Sequence, residues 1–341
     1  MNSDEAKINN LFLYWLLISL FLVFTLIIVG GLTRLTNSGL SIIEWELFRG
    51  ILPPINDAGW NTYFEKYKTI PQYKLINSNM SLNEFKVIFY WEYFHRILAR
   101  LIGLFFLIPL IYFYFSKNVK KKYLIISSAI FILITLQGVF GWYMVKSGLV
   151  FDVTVSHYRL SLHLTTAIII ISFIFWLLEI ILNKKDKTFF KLSKEYFPYQ
   201  ILLILIFLQI IIGAFVSGLD AGMIYQTWPK MGNSYFPNDI IFNKIQTLFD
   251  FDNHSLVQFY HRNLAYLVII YALILSFNVF KNKKENLYKP MKIFLSILSI
   301  QIIFGISTLV SGLNIYLASI HQILGVLLVL SVINLYYFNA K

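Results

Sequence analysis

The stretch Glu92-Tyr93-Phe94-His95-Arg96 returns later in the chain as Gln258-Phe259-Tyr260-His261-Arg262, and each copy lies inside a long apolar segment. Two more histidines, His163 and His321, lie inside two other apolar segments. An imidazole within a bilayer is unfavourable unless it is paired, hydrated or bound to something. Four such histidines on alternate segments therefore predict two sites of two histidines each.

The composition indicates a chain that is mostly dissolved in lipid. Of its 341 residues 58% are hydrophobic and 13% are charged, whereas a soluble domain carries about 25% charged residues. A helix needs about 20 apolar residues to cross the hydrocarbon core. Eight such spans are predicted, at 11–33, 87–115, 123–144, 155–182, 197–217, 254–280, 291–311 and 315–338.

The lysines show which side of the membrane each connection faces. They concentrate in alternate connections, at 117–122, 184–194 and 281–289, whereas the intervening loop 145–154 has only Lys146. This alternation is the positive-inside pattern and predicts that both termini are cytoplasmic. The net charge of +12 is thus accounted for by topology, and no aromatic-interleaved basic stripe indicates a nucleic-acid partner.

Polar landmarks recur in the same order in the first four and the last four spans, which predicts an internal repeat. Each half has an even number of spans, so both halves insert in the same orientation as parallel repeats. We predict two pseudo-symmetric four-helix bundles, an N-terminal half over 1–182 and a C-terminal half over 197–338, joined by the cytoplasmic linker 183–196. The outer loops 34–86 and 218–253 are expected to cap their own halves.

The histidines suit haem better than other metal centres. All four are predicted to lie roughly 10–13 Å below the outer ends of their helices, and two on facing helices can clamp a haem iron. A carboxylate-bridged di-iron site needs several core glutamates, but only Glu92 and Glu179 lie within spans. The chain has no cysteine and no His-Glu-x-x-His motif, which excludes thiolate-bound metals and zinc-protease chemistry.

One position differs informatively between the halves. Glu92 lies three residues before His95, on the same helix face, and the matching residue of the second half is Gln258, which cannot ionise. An ionisable neighbour suits chemistry, whereas a neutral one suits a permanently bound redox cofactor. A salt bridge from Glu92 to Arg96 or Arg100 is the alternative account of this carboxylate.

Arginines cluster at the outer ends of the spans, where they are candidate partners for haem propionates because arginine pairs bidentately with carboxylates. Anchoring at the membrane interface is the alternative for any one of them. These arginines are Arg34, Arg96, Arg159 and Arg262. His157 and His254, which have no matching repeat partner, are expected to be solvated.

Several motifs together resemble heme A synthase, and more closely its α-proteobacterial and mitochondrial branch. The resemblance spans about 11–338, and its most specific part is the stretch from Gly218 to Gly232. The motifs are Glu92-x-x-His95-Arg96, Gln137-x-x-Phe140-Gly141, Tyr158-Arg159-Leu160-x-x-His163, Gly218-Leu219-Asp220-Ala221-Gly222-x-x-Tyr225-x-x-Trp228-Pro229-x-Met231-Gly232, Gln258-Phe259-x-His261-Arg262 and His321-Gln322-x-x-Gly325.

The resemblance implies an enzyme that oxidises a methyl group of haem O to the formyl group of haem A, for cytochrome oxidase. It implies that His261 and His321 are axial ligands of a resident haem b cofactor. His95 and His163 would bind the substrate haem O, with Glu92 as the catalytic residue beside them.

The resemblance also implies a location and partners. The location is the bacterial inner membrane, with both haem sites toward the outer face. A haem O synthase and an electron donor are expected partners, and the sequence does not indicate an oligomeric state.

A di-haem b membrane cytochrome that transfers electrons without substrate chemistry is the alternative, because its histidine pairs and basic loops would look the same. The ionisable Glu92 in one half only and the specific Gly218–Gly232 loop favour the enzyme. A repeat-built transporter ranks last, since its helices would be broken by glycine or proline at mid-membrane.

Overall fold

The computed structural model describes residues 10–44, 49–149, 152–191, 193–240 and 245–340. Within these ranges the chain is helical, and the only β-type pairing is an isolated bridge between Met231 and Ser234. The α-helices of the described residues are α1 (Asn10–Leu35), α2 (Asp57–Tyr67), α3 (Pro71–Leu75), α4 (Leu82–Ser116), α5 (Lys121–Gly148), α6 (His157–Asn183), α7 (Phe197–Gly218), α8 (His254–Lys281), α9 (Tyr288–Val310) and α10 (Ile315–Asn339).

Eight of these helices, α1 and α4 to α10, are long and apolar enough to cross a membrane. An α-helix satisfies its main-chain hydrogen bonds internally, which is why apolar segments of this length adopt it in lipid. The predicted all-helical fold with eight spans is confirmed. The span boundaries agree to within a few residues, with one exception at the start of α4.

Helix α4 begins at Leu82, five residues before the predicted start of the second span. Ser81 and Glu84 form a capping box: the Ser81 hydroxyl accepts from the Glu84 N–H at 3.3 Å, and the Glu84 carboxylate accepts from the Ser81 N–H at 2.8 Å. This reciprocal pair satisfies main-chain donors at a helix start. His95 therefore lies thirteen residues into its helix, further from the helix start than predicted.

The chain divides into two compact units, Met1–Val155 with Thr166–Asp186, and Ser156–Thr165 with Lys187–Lys341. The N-terminal part of α6, up to Thr165, thus groups with the second unit. Within that unit the Ser161 hydroxyl donates to the Ile211 carbonyl of α7 at 3.3 Å. The predicted halves, 1–182 and 197–338, follow the repeat in the sequence and stay a prediction.

The first unit is built around aromatic contacts between α1 and α4. Trp15 packs on Phe106 with ring centroids 4.6 Å apart, and Phe12 meets Phe113 edge-on at 5.1 Å. The Trp15 indole N–H donates to the Phe105 carbonyl at 3.2 Å, so this buried ring keeps a hydrogen-bond partner. These contacts fix how α1 lies along α4, the helix that carries His95.

In the second unit a lysine holds the end of α10. The Lys187 ammonium donates to the carbonyls of Tyr337, at 2.8 Å, and Ala340. It also lies 4.5 Å from the Tyr337 ring centroid. A cation satisfies the last carbonyls of a helix and interacts favourably with its dipole, so Lys187 fixes the end of the helix that carries His321.

Candidate functional site

His95 on α4 is seated against a glycine of α1. A Cβ on Gly30 would lie 2.9 Å from the His95 Cε1 and 3.5 Å from its Nδ1. Real Cβ atoms do not come this close to a ring carbon, so only glycine allows the imidazole to approach the neighbouring helix. The Nδ1 edge of His95 is buried, whereas the residue as a whole is only half-buried.

The same contact recurs twice in the second unit. A Cβ on Gly213 would lie 2.9 Å from the His261 Cε1, and one on Gly305 would lie 2.8 Å from the His321 Cε1. In both rings Nδ1 is nearer than Nε2 to the glycine, at 3.5 against 3.9 Å for His261 and 3.2 against 3.6 Å for His321. In both residues the Nε2 atom therefore lies further than Nδ1 from the neighbouring helix.

His261 and His321, both in the second unit, are the two histidines predicted to form an axial ligand pair. They lie within electrostatic range of each other. The His321 Nδ1 is buried without a hydrogen bond of ordinary geometry among the described residues, and its ring interacts with the main chain of Gln301. Histidine ligands of metals commonly direct one ring nitrogen to a protein group and leave the other for the metal. The close contacts with Gly213 and Gly305 hold both rings with Nδ1 toward the neighbouring helix.

His163 lies in the second turn of α6, with its Nδ1 buried. His157, at the first residue of α6, departs from expectation: it is buried, and its Nε2 lies 3.4 Å from the exposed carboxylate of Asp252. A Cβ on Gly218 would lie 2.5 Å from the His157 Cβ. The expectation that His157 is solvated was wrong, because this glycine lets the first turn of α6 pack closely on α7.

Glu92 is 2% exposed and is engaged by three partners. One carboxylate oxygen accepts from the Ser41 hydroxyl at 2.7 Å and from the Ile42 N–H at 2.8 Å. The other oxygen pairs with the Arg96 guanidinium at 2.5 Å. The salt bridge weighed from the sequence is therefore present, and Glu92 also holds the segment that follows α1 against α4.

Arg96 completes this attachment through main-chain carbonyls. Its guanidinium donates to the carbonyls of Ile42, at 2.8 Å, and Glu44, at 3.4 Å. We call the set of Glu92, Arg96 and the segment Ser41–Glu44 the first loop clamp. It holds this segment against the part of α4 that carries His95.

The second half contains the same arrangement, which we call the second loop clamp. Arg262 donates to the carbonyls of Tyr225, at 2.9 Å, and Thr227, at 2.8 Å. Gln258, also 2% exposed, donates to the Tyr225 carbonyl at 3.1 Å. The two clamps differ in the direction of this hydrogen bond. The Gln258 amide donates to the Tyr225 carbonyl, whereas the Glu92 carboxylate, which can only accept, bonds to the Ile42 N–H.

The four arginines predicted as propionate partners do not share one environment. Arg96 and Arg262 donate to the loop clamps, and Arg34 donates to the Asn37 side chain at 3.0 Å. Arg159 is half-buried in the first turn of α6. Arg34 and Arg159 lie in terminal turns of α1 and α6, whereas Arg96 and Arg262 lie further inside α4 and α8. Their role toward propionates stays a prediction.

The outer loop of the second half holds a hydrogen-bonded carboxylate that the sequence did not single out. Asp239 accepts from the Tyr225 hydroxyl and from the Ser255 hydroxyl, each at 2.6 Å. Partial burial would raise the pKa of Asp239, but the hydrogen bonds from Ser255 and Tyr225 outweigh it and hold that pKa below its usual value. The hydrogen bond to Asp239 in turn raises the pKa of Tyr225.

These features define a class, the multi-pass helical membrane proteins with histidines inside their apolar helices. The chain belongs to the family described as Cytochrome oxidase assembly protein, whose profile matches residues 13–333. It is 50% identical over 322 residues to the heme A synthase of Pelagibacter ubique, covering 93% of each chain.

Other curated relatives carry the same name. The chain is 41% identical over 331 residues to the heme A synthase of Flavobacterium psychrophilum, covering 94% of this chain and 96% of the relative. It is 39% identical over 339 residues to that of Rickettsia felis, covering 98% and 99%. The sequence-based recognition of this family is confirmed.

We expect Gly213→Ala to destabilise the protein by about 1–3 kcal/mol, the usual cost of overpacking, because the new Cβ would meet the His261 ring at 2.9 Å. Gly30→Ala should behave alike. Gly138→Ala is the matched control, since a Cβ there meets nothing within 4 Å. The measurement is the thermal unfolding midpoint of the purified protein, and equal midpoints for Gly213→Ala and Gly138→Ala would contradict the tight contact.

Proposed function

We propose that this chain is a heme A synthase, which oxidises the methyl group of haem O to the formyl group of haem A. By the family resemblance, two successive hydroxylations convert the methyl to a geminal diol, which loses water to leave the formyl group. Each hydroxylation is a two-electron oxidation that takes its oxygen atom and its oxidising equivalents from an external oxidant, which is a co-reactant beside haem O. Identity of up to 50% over nearly the whole chain to proteins of that name supports this function.

One observation carries the assignment of roles to the two halves. His95 and His261 have the same seat against a glycine, and each is followed by an arginine of a loop clamp. The clamps differ in that the first contains the carboxylate of Glu92 and the second the amide of Gln258. The half with an ionisable group is the one we assign to substrate chemistry.

In the second half His261 and His321 would hold a haem b. When bound, this cofactor supplies one-electron transfer. The protein's part is to keep both imidazoles oriented through Gly213 and Gly305, and to hold the outer loop over them through Arg262 and the Tyr225 carbonyl.

In the first half His95 and His163 are the proposed ligands of haem O. Glu92 is the proposed catalytic residue, because a carboxylate can receive a proton or stabilise a developing positive charge near the methyl carbon. The Ser41 hydroxyl and the Arg96 guanidinium hold this carboxylate in one orientation. Haem propionates would meet the arginine-rich outer ends of the helices.

The protein is proposed to lie in the bacterial inner membrane, with cytoplasmic termini and with both haem sites toward the outer face. This orientation rests on the lysine-rich alternate connections. A haem O synthase and an electron donor are the proposed partners.

We expect Asn61→Cys on α2 to react with a membrane-impermeant maleimide on intact spheroplasts, whereas Lys120→Cys, just before α5, should react only after permeabilisation. Both side chains are exposed, and the chain has no cysteine of its own to give background labelling. The opposite pattern of labelling would overturn the proposed orientation.

We expect His321→Ala to lose the haem b that co-purifies with the protein, because one axial ligand is removed, whereas His95→Ala should keep it. The measurement is haem content by extraction, in cells that also make haem O. Wild type should yield extractable haem A and both variants should not. Haem b without any haem A in wild type would favour the electron-transferring cytochrome instead.

We expect Glu92→Gln to abolish haem A formation while haem b stays bound. Glutamine at this position can donate to the Ile42 carbonyl, as Gln258 does to Tyr225, so the loop can remain attached while the ionisable group is lost. Glu65→Gln, which makes the same change in an exposed salt bridge with Lys68, is the control and should keep activity. If Glu92→Gln makes haem A at the wild-type rate, Glu92 serves only to hold the loop.

A further inference from the structure

Gln209 of α7 lies against the imidazole of His261. Its amide nitrogen donates to the His261 main-chain carbonyl at 3.0 Å and lies 3.2 Å from the ring Nδ1 and 3.4 Å from the ring Nε2. The amide is therefore tied to the main chain of the residue whose side chain it contacts. Its Oε1 is buried without a hydrogen-bond partner among the described residues, so the contact to His261 is the one that orients it.

The residue at the place of Gln209 differs between the two repeats. Gln209 stands four residues before Gly213, and the same place before Gly30 in α1 is Leu26. His95 and His261 thus share a close contact with a glycine, but of α1 and α7 only α7 carries an amide four residues before that glycine. This is a second polar difference between the halves, independent of the one at Glu92 and Gln258.

A neighbouring amide can control an imidazole in two ways. Rotation of a histidine ring about its Cβ–Cγ bond is only weakly restricted by its own torsional preference, so a fixed group beside the ring selects one orientation. In addition, the amide N–H carries partial positive charge, which favours the ferrous over the ferric state of a haem iron bound to that imidazole. Groups beside a metal-bound histidine are known levers on the properties of the metal.

We propose that Gln209 is a positioning residue for His261, fixing the orientation of its ring and favouring the reduced state of the haem that His261 holds. The proposal rests on the proposed function, in that it takes His261 and His321 to be the haem b ligands. Gln209 does not contact substrate, and its effect is exerted through His261.

The test compares Gln209→Leu, which installs the residue of the first half, with wild type, in full-length protein purified with its haem. We expect similar haem content, an altered low-spin ferric electron paramagnetic resonance signal, and a lower midpoint potential. At a fixed potential the ferrous-to-ferric ratio should fall about tenfold, which for a one-electron couple corresponds to about 59 mV.

Gln200→Leu is the matched control on the same helix. Its amide donates to the Lys191 carbonyl at 3.1 Å and to the Tyr336 hydroxyl at 3.0 Å, so the substitution removes comparable hydrogen bonds away from His261. We expect the wild-type signal and potential in this variant. An unchanged signal and potential in Gln209→Leu, or equal changes in both variants, overturns the proposal.

A second variant decides the case in which Gln209→Leu does not retain haem. Gln209→Glu keeps the side-chain length but replaces the N–H donor by a carboxylate oxygen, and the proposal expects a lower midpoint potential here also. An unchanged potential overturns it. Failure of the underlying function is seen separately, as wild type without bound haem b or as His261→Ala that retains it.

Discussion

The packing of this protein depends on close contacts between histidine rings and glycines of the neighbouring helices. At Gly30, Gly213 and Gly305 a single methyl group would come within 3 Å of a histidine ring. These contacts fix the distance between α1 and α4, between α7 and α8, and between α9 and α10. In each of the three rings Nδ1 lies nearer to the neighbouring helix than Nε2 does. Helix packing and the orientation of the imidazoles are thus set by the same atoms.

Much of the fold could be predicted from the sequence, because in a membrane the length of an apolar segment nearly determines the helix it forms. The early start of α4 could also have been found, since Ser81 and Glu84 have the spacing of a capping box. Gly30, Gly213 and Gly305 are visible in the sequence as glycines within apolar segments. Their contact with the rings could not be derived, because it depends on how helices are rotated against each other.

The site was predictable in its residues and less so in its contacts. The pattern picked out Glu92, Gln258 and the arginines after the two histidines, and it included a salt bridge as one account of Glu92. The sequence pattern does not indicate that Arg96 and Arg262 donate to main-chain carbonyls, because every residue has a carbonyl whatever its side chain. Gln209 escaped notice for a related reason: within an apolar helix, one glutamine is informative only once its neighbour is known.

The two loop clamps have a consequence for how this protein can vary between species. Arg96 and Arg262 bind carbonyl oxygens, which every amino acid provides, so the attachment does not specify the side chains of the loop. The positions they hold are Ile42 and Glu44 in one half and Tyr225 and Thr227 in the other, with no chemistry in common. Substitutions of the loop side chains therefore leave this attachment in place. The surface of each loop can change without any change in the helices to which it is bound.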